Sequence, residues 1–185
     1  MKITVITSSP RKNGTTALLA EEFIRGAKEA KHDVFRFDAA FEKIAPCLAC
    51  DHCKKESSKS NTASANCVQK DSMEKLNPEL FAADCIVFVT PLYYYGMSAQ
   101  LKTVIDRFYA NNSKLLESGK KTFLMAAAED TEEWTMKALT EHYKTILRYL
   151  KLNDAGTVLA TGCGTRSDIE KTGYPAEAYQ MGKKL

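Results

Sequence analysis

Five short apolar segments alternate with helix-like segments along this chain of 185 residues. The apolar segments have the length and the β-branched composition of strands, and they cover residues 2–7, 33–37, 85–90, 122–127 and 157–161. Apolar side chains recur at the spacing of one helix face from residue 16 onward, at 71–82 and 98–111, after 131, and at 176–184. Alternating strands and helices predict a three-layer α/β sandwich around a parallel sheet.

Local signals refine this pattern. Residues 85–90 (CIVFVT) are apolar throughout, which is typical of a central strand covered on both faces. Pro78 predicts a kink or a restart of its helix with Asn77 as a cap, and Thr131 is an N-cap candidate for the helix that follows it. Residues 39–71 lack periodicity and predict a long loop, in which residues 57–66 are small, polar and loosely held.

Length and charge restrict the function classes. A chain of 185 residues without a repeat or a linker predicts one domain over residues 1–185. The net charge of +3, from 26 basic and 23 acidic side chains, is too even for a nucleic-acid footprint or an anionic membrane surface. No apolar run has the length of a signal-peptide core or a membrane span, so we expect a cytoplasmic protein.

The segment between the first strand and the first helix, SSPRKNGTT, has the features of a phosphate site. Arg11 and Lys12 supply positive charge, Gly14 permits a tight turn, and the following helix directs its free N–H groups at the loop. Hydroxyl donors are available at Ser8, Ser9, Thr15 and Thr16. No G-x-G-x-x-G or P-loop pattern is present, which favours a monophosphate, although a plain strand-to-helix turn has similar residues.

A second loop, PLYYYG at residues 91–96, follows the predicted central strand. Because parallel strands end at the same edge, we expect this loop beside the phosphate loop. Tyr93, Tyr94 and Tyr95 suit a flat heteroaromatic ligand such as an isoalloxazine ring. Packing under a loop or at a subunit interface is the alternative for these tyrosines, and it is also our interpretation of Trp134 and Met136.

With both loops placed, the sequence resembles the flavodoxin-fold NAD(P)H-dependent FMN reductases, which include relatives of the iron-sulfur flavoproteins and quinone reductases of the WrbA type. The segment SPRKNGTT looks like the S-P-R-x-x-[GS]-[NT]-T phosphate loop of that family. The segment PLYYYGMSAQLKTVIDR looks like its P-x-Y-[FY]-x-x-x-[ST]-x-x-[LM]-K-x-x-x-D-R segment. The similarity extends over nearly the whole chain and is weakest at residues 54–66.

The resemblance implies a five-stranded sheet of order 2-1-3-4-5 with noncovalent FMN at its edge. The implied phosphate contacts are Ser9, Arg11, Asn13, Gly14, Thr15 and Thr16. The implied ring contacts are Pro91, Leu92, Tyr93, Tyr94, Tyr95, Gly96 and Met97, with Ala128, Glu129 and Asp130 from another side. It further implies ping-pong hydride transfer from NAD(P)H to a quinone, azo compound, free flavin or metal complex, in a homodimer or homotetramer. No catalytic side chain is required, because the flavin performs the chemistry.

Six cysteines form the remaining signal. Cys47, Cys50 and Cys53 make a C-x-x-C-x-x-C run, and Cys67 lies fourteen residues further on. Four thiolates at such positions bind a [4Fe-4S] cluster or zinc, or remain free or redox-active thiols. The iron-sulfur flavoproteins have a similar but more compact run. Cys85 is expected to be a small core residue, and Cys163 lies in a Gly-Cys-Gly turn.

Four functions are therefore compared. The first is an FMN-dependent NAD(P)H oxidoreductase, and the second an electron carrier with an iron-sulfur cluster at Cys47, Cys50, Cys53 and Cys67. The third is a flavodoxin-type carrier, against which the net charge of +3 argues because such carriers are usually acidic. The fourth is a zinc-stabilised binding module, which is ranked last because a parallel-sheet domain of this size has a sufficient core without metal.

Overall fold

The computed structural model describes residues 1–57 and 67–185, and for residues 55–57 it describes the backbone alone. In these ranges the strands are β1 (Lys2–Thr7), β2 (Asp33–Asp38), β3 (Cys85–Tyr93), β4 (Gly96–Met97), β5 (Lys121–Ala127) and β6 (Asn153–Ala160). The helices are α1 (Thr15–Glu29), α2 (His52–Ser57), α3 (Met73–Ala82), α4 (Ala99–Arg107), α5 (Asn112–Leu115), α6 (Lys137–Leu150), α7 (Arg166–Ile169) and α8 (Tyr174–Lys183). Short 3-10 turns cover Ala39–Phe41 and Phe108–Asn111.

The strands form one twisted sheet in the order β2-β1-β3-β5-β6, with every neighbour on this path parallel. If only the parallel strands are numbered, the order is 2-1-3-4-5, which confirms the predicted flavodoxin-like α/β fold. A sixth strand, β4, pairs antiparallel with the end of β3 and was not predicted. A strand of two residues has no hydrophobic period, so its sequence contains no strand signal.

Strand β3 lies in the middle of the sheet and is covered on both faces. Ile86 and Phe88 join the apolar cluster under α3, α4 and α6, whereas Val87 and Val89 join the cluster under α1 and α8. Cys85 belongs to the second cluster and is fully buried, as expected of a core residue. Burial on both faces is the reason that this strand has no polar positions over residues 85–89.

Helices α1 and α8 cross at a point where each has a glycine, Gly26 in α1 and Gly182 in α8. A Cβ atom on Gly26 would lie 2.2 Å from the carbonyl oxygen of Tyr179, and one on Gly182 would lie 2.1 Å from that of Phe23. The two backbones therefore approach more closely than any side chain permits. Gly26 weakens α1 by intrinsic propensity, and this close packing accounts for its place there.

Three boundary predictions are wrong. Helix α3 runs without interruption past Pro78, and Asn77 does not cap a second helix, because its buried side-chain oxygen accepts a hydrogen bond from Asn111 Nδ2 at 2.9 Å. Helix α6 begins at Lys137, so Thr131 is not its N-cap. Strand β6 begins at residue 153, four residues before the predicted start, because its polar first half is an exposed edge that lacks the strand pattern.

The segment at residues 39–71 is mostly irregular, as predicted, with two short exceptions. The 3-10 turn Ala39–Phe41 and the short helix α2 lie within it. Residues 58–66, which were expected to be loosely held, lie outside the described residues. Among the helices of the described ranges, none is long and apolar enough to span a membrane.

Candidate functional site

The carboxyl ends of the parallel strands bring four loops to one edge of the sheet. They follow β1 (residues 8–14), β3 (the β3–β4 hairpin), β5 (residues 128–136) and β6 (residues 161–165). The first and last loops meet where Arg11 Nη1 donates to the carbonyl of Gly164 at 3.4 Å. The third and fourth meet where the Cys163 amide donates to the carbonyl of Ala128 at 2.8 Å. The predicted contact loops thus share one rim.

The loop after β1 ends in an open helix N-terminus. Gly14 precedes α1, its amide closes a turn onto the carbonyl of Arg11 at 3.1 Å, and a Cβ atom on it would lie 3.1 Å from Arg11 Cβ. In the described chain no side chain caps α1, and its first turn contains no acidic residue. The first N–H groups of α1 and its positive dipole end are therefore available to an anion.

The side chains of this loop divide into exposed and buried groups. Arg11, Lys12 and Asn13 are exposed, whereas Thr16 is nearly buried, with 3% of its surface accessible. The backbone amide of Arg11 donates to Ser9 Oγ at 3.1 Å, which fixes the turn. One expectation is corrected, because the hydroxyl of Ser8 is buried and donates to the carbonyl of Val89 at 3.1 Å. That hydroxyl ties β1 to β3 and is not free for a ligand.

The second loop is a tight hairpin. Strand β3 continues to Tyr93 because Leu92 and Tyr93 pair with Met97 and Gly96, so Pro91 and Leu92 are strand residues. The turn consists of Tyr94 and Tyr95, with φ angles of 46° and 61°. Two-residue hairpin turns favour Asn and Gly at such positions, so two tyrosines there store backbone strain.

The tyrosines of the hairpin are open to solvent. Tyr93 and Tyr95 are 43% and 40% exposed, and Tyr94 is fully exposed at 102%. Behind the turn, the amide of Ser98 donates to Thr90 Oγ1 at 3.0 Å, and Ser98 Oγ accepts from the Leu101 amide as the N-cap of α4. The rigid attachment to β3 and α4 holds an aromatic surface at the rim.

The third loop adds a carboxylate and an aromatic ring. Ala128 is buried and Glu129 is exposed. Asp130 accepts the Glu132 amide at 3.2 Å, and this hydrogen bond lowers the pKa of the Asp130 carboxyl. The ring of Trp134, half exposed, lies 4.7 Å from that of Tyr95, whose hydroxyl is 3.5 Å from Asp130 Oδ2. The sequence alone does not place Trp134 at this rim, because a single aromatic residue in a loop has no periodic signal.

The cysteines of the C-x-x-C-x-x-C run occupy a second place in the fold. Cys47, Cys50, Cys53 and Cys67 all line one cavity of about 30 Å³, beside the C-terminal end of α4. Ala49 and Asp51, which lie between the cysteines, have φ angles of 52° and 54°, and the Ala49 amide donates to Cys47 Sγ at 3.5 Å. Within residues 1–57 and 67–185, no three His, Cys, Asp or Glu side chains are arranged to hold a single metal ion.

One residue that lines this cavity, Arg107, forms a nearly buried ion pair with Asp71. Arg107, at the end of α4, donates through Nη1 to Asp71 Oδ2 at 2.6 Å and through Nη2 to Asp71 Oδ1 at 3.3 Å. It also donates to the carbonyl of Ala45 at 2.8 Å. The side chains of Arg107 and Asp71 are 2% and 11% exposed. Burial opposes the charge on Asp71, but the hydrogen bond from Arg107 prevails and lowers the pKa of that carboxyl.

Known proteins share this sequence pattern. The family model described as NADPH-dependent FMN reductase matches residues 1–165. An iron-sulfur flavoprotein of Methanocaldococcus jannaschii is 32% identical over 107 residues, which are 58% of this chain and 51% of that protein. The chain thus spans about half the length of the curated relatives it matches first. A Bacillus subtilis protein named as a putative NAD(P)H-dependent FMN-containing oxidoreductase is 25% identical and covers 88% of this chain and 86% of its own length.

A solved structure supports the fold. The crystal structure of an azoreductase superposes with a TM-score of 0.73 at 18% identity, and the match covers 99% of this chain and 100% of the azoreductase. An identity this low shows the fold alone. The family model, in contrast, matches residues 1–165 and so extends over all four rim loops and the cysteine run. The chain therefore belongs to the NADPH-dependent FMN reductase family.

Proposed function

We propose that this chain binds FMN at the sheet edge and passes electrons from NAD(P)H to a small-molecule acceptor. One observation carries the proposal: the uncapped N-terminus of α1 and the exposed cation of Arg11 lie on the same rim as the aromatic hairpin. The uncapped helix N-terminus and the Arg11 cation suit a phosphate, and the hairpin suits a flat ring. Membership of the family supports the same cofactor.

The two ends of FMN have separate partners in this proposal. The phosphate is held by the residues of the first loop: Ser9, Arg11, Asn13, Gly14, Thr15 and Thr16. The ring is held by the hairpin and the third loop: Pro91, Leu92, Tyr93, Tyr94, Tyr95, Gly96, Met97, Ala128, Glu129 and Asp130. The bound flavin supplies hydride acceptance and electron release, so the side chains bind and orient and none is assigned as a catalytic acid or base.

The acceptor and the assembly belong to the proposal as well. We infer a ping-pong scheme, in which a quinone, flavin, azo compound or metal complex follows the nicotinamide at the same exposed rim. Full exposure of Tyr94 and half exposure of Trp134 favour a homodimer or homotetramer in which a second chain covers part of this rim. A single domain over residues 1–185 and a cytoplasmic location are the simplest expectations for such an enzyme.

The test begins with the purified protein. We expect a flavin absorption spectrum, and oxidation of NADH or NADPH when a quinone is present. Replacing Arg11→Ala together with Thr16→Ala should weaken FMN retention without unfolding the apoprotein, because it removes a cation and a hydroxyl from the phosphate loop. Lys28→Ala is the matched control, since Lys28 is an exposed cation at the other end of α1. Unchanged flavin content in the double variant would contradict the assignment.

A second candidate is an electron carrier with a [4Fe-4S] cluster, and one observation favours it. The four cysteines of the run line a common cavity, although Cys67 is separated from Cys53 by fourteen positions in the sequence. Helix α4 leads from the aromatic hairpin to this cavity, a length of about 13 Å for its nine residues. The fit is incomplete, because the cavity has a volume of only about 30 Å³ and no three side chains of the described residues are arranged to hold a metal ion.

Iron and sulfide analysis of protein purified without oxygen tests this second candidate. This candidate requires iron and acid-labile sulfide in stoichiometric amounts, and loss of both in Cys67→Ala. Cys163→Ala is the matched control, because Cys163 is a buried residue of the loop after β6 and does not line the cavity. If the wild-type protein contains flavin but neither iron nor sulfide, the second candidate fails and the first remains.

A further inference from the structure

We propose that an open cavity beside the edge strand β2 binds the adenosine end of NADPH, and that it selects NADPH over NADH through the 2′-phosphate. The cavity has a volume of about 460 Å³, which is in the range of small-molecule sites. The lining residues on which the argument depends are Lys12, Arg36, Asp38, Phe41, Glu42 and Lys75. The inference rests on the proposed oxidoreductase function and names the electron donor that this function leaves open.

The cavity adjoins the loop that is proposed to bind the phosphate of FMN. Lys12 belongs to that loop, and its Nζ atom lies 5.0 Å from the ring centroid of Phe41, in the turn after β2. Strand β2 ends at Asp38, which pairs in register with Thr7 at the end of β1. Because the two rings of a nicotinamide dinucleotide lie at opposite ends of the molecule, adenosine bound here leaves the nicotinamide end free to reach the flavin.

Phe41 offers a flat apolar surface for adenine. It is 50% exposed, although Ala39 in the same 3-10 turn is buried in the core and anchors the turn. An exposed aromatic ring on an anchored turn suits the stacking of a purine base. Lys12 provides a cation close to this ring, as a phosphate on the attached ribose requires.

The charges of the cavity favour an anion. Its carboxylates are all paired, in the ion pairs Arg36–Asp38 at 2.8 Å, Lys75–Glu42 at 2.5 Å and Arg166–Glu21 at 2.8 Å. Arg166 lies outside the lining. Lys12, in contrast, makes no ion pair within residues 1–57 and 67–185. Among its described residues the cavity thus has an unpaired cation and no unpaired carboxylate.

Arg36 has donors to spare for a phosphate. Its Nε and Nη2 atoms both donate to Asp38 Oδ1, at 2.9 and 2.8 Å, and they use two of the five N–H groups of the guanidinium. The other N–H groups have no acceptor in the part of the chain that the structure describes, and the side chain is 33% exposed. A guanidinium that a carboxylate holds on one edge can bind phosphate oxygens with the other.

NADH and NADPH differ only at the 2′-oxygen of the adenosine ribose, which carries a phosphate in NADPH. A contact from Arg36 or Lys12 to that phosphate is therefore made by NADPH alone, whereas stacking on Phe41 is open to both dinucleotides. Arg36 and Lys12 are accordingly the specificity-determining residues, and Phe41 contributes to the affinity for either donor.

The first measurement is a calorimetric titration of the protein as purified with adenosine 2′,5′-bisphosphate and with adenosine 5′-monophosphate. We expect the bisphosphate to bind about tenfold more tightly, because it makes an additional charge-assisted contact. Arg36→Gln should remove most of this preference, and Phe41→Ala should weaken both nucleotides alike. Asp38→Asn should increase the preference, because a negative charge leaves the cavity while Arg36 stays. A merely structural role of this ion pair would change both charge variants in the same direction.

The second measurement is the ratio of kcat/KM for NADPH to that for NADH. Arg36→Gln should lower this ratio about tenfold, mainly through the KM for NADPH. Arg148→Gln is the matched control, because it removes an exposed cation of α6 that does not line the cavity, and it should change the ratio by less than about twofold.

The outcomes separate this proposal from the proposed function. Equal binding of the two nucleotides to the wild-type protein, or changes of the same sign in Arg36→Gln and Asp38→Asn, would overturn the adenosine site alone. A purified protein that neither contains nor binds FMN would overturn the proposed function instead. In that case, a preference for the bisphosphate that Arg36→Gln removes would still establish the cavity as a site for a 2′-phosphorylated nucleotide.

Discussion

The crossing of α1 and α8 predicts both the direction and the size of the change in the free energy of unfolding that Gly182→Ala causes. In the middle of a helix, Gly→Ala normally stabilises by about 1 kcal/mol, because alanine is the better helix former, and at Gly182, the penultimate residue of α8, the gain is at most of that size. At Gly182 the added Cβ would lie 2.1 Å from the Phe23 carbonyl oxygen and 2.9 Å from the Ala27 amide nitrogen. Both neighbours are backbone atoms of α1, so no side-chain rotation can relieve the overlap.

The magnitude follows from these distances. Ordinary contacts of a Cβ atom begin at 3.4 Å, so the helices must separate by roughly an ångström at the crossing. Overpacking of this kind costs typically about 1–3 kcal/mol, and it also opens the packing of Phe23 and Ala27 against the core. We expect Gly182→Ala to lower the free energy of unfolding by about 2 kcal/mol net, or Tm by about 4–8 °C for a chain of this length.

The assay is equilibrium urea unfolding of the apoprotein, followed by far-ultraviolet circular dichroism. Gly173→Ala is the matched control, because no atom lies within 4 Å of a Cβ built there and its φ is −80°. That variant should stay within about 0.5 kcal/mol of wild type. If Gly182→Ala proves as stable as wild type or more stable, intrinsic propensity outweighs the contact and the close crossing of α1 and α8 is refuted.

Three further predictions concern the rim and the cysteine site. Tyr94→Asn should stabilise the apoprotein by about 0.5–1 kcal/mol, because asparagine adopts a φ of 46° with less strain than tyrosine. Tyr94→Ala keeps the backbone strain, and an equal gain in Tm for Ala would show that the exposed ring is responsible instead. Asp71→Asn should cost about 3 kcal/mol at pH 7, because it leaves Arg107 buried and unpaired. The interaction with Arg107 lowers the pKa of Asp71 in the folded state, so the stability that this carboxylate contributes is fully present above its unfolded pKa and is lost as pH falls through the folded pKa. The urea midpoints of variant and wild type should therefore converge in acid. A constant difference between them at all pH values would contradict the ion-pair explanation. Trp134→Ala should raise KM for an aromatic quinone severalfold and leave FMN content unchanged, since the Trp134 ring packs at a tilt against that of Tyr95 at the exposed rim. An unchanged KM in steady-state kinetics would place the acceptor elsewhere.

The central strands and their order could be predicted because a strand that is buried on both faces has a continuous run of apolar residues. Strand β3 is covered on both faces, and its uninterrupted apolar run shows this directly. The first half of β6 was not predicted as strand, because it is a polar, partly exposed edge with a glycine at position 156. Asn77 was misassigned because its partner, Asn111, is 34 residues away and no local pattern reports such a contact.

The sequence predicts which loops lie at the candidate site, but not which side chains contact one another there. Parallel topology places the loops after β1, β3 and β5 on one edge, whichever residues they contain. The burial of the Ser8 hydroxyl against Val89 and the contact between the rings of Trp134 and Tyr95 depend on distances between segments far apart in sequence. In the same way, the spacing of the cysteines indicated thiolate chemistry, but only the fold brings Arg107 to their cavity.

The most direct test of phosphate binding at this rim compares FMN with riboflavin, which has the same ring but no phosphate. Each is titrated into the apoprotein and followed by quenching of flavin fluorescence. If the loop of Ser9 to Thr16 binds the phosphate, FMN should bind about 100-fold more tightly, which corresponds to about 3 kcal/mol from two or so charge-assisted hydrogen bonds. Arg11→Ala should reduce this ratio and leave riboflavin binding unchanged. Equal affinities for the two flavins would show that this loop does not bind the phosphate of FMN.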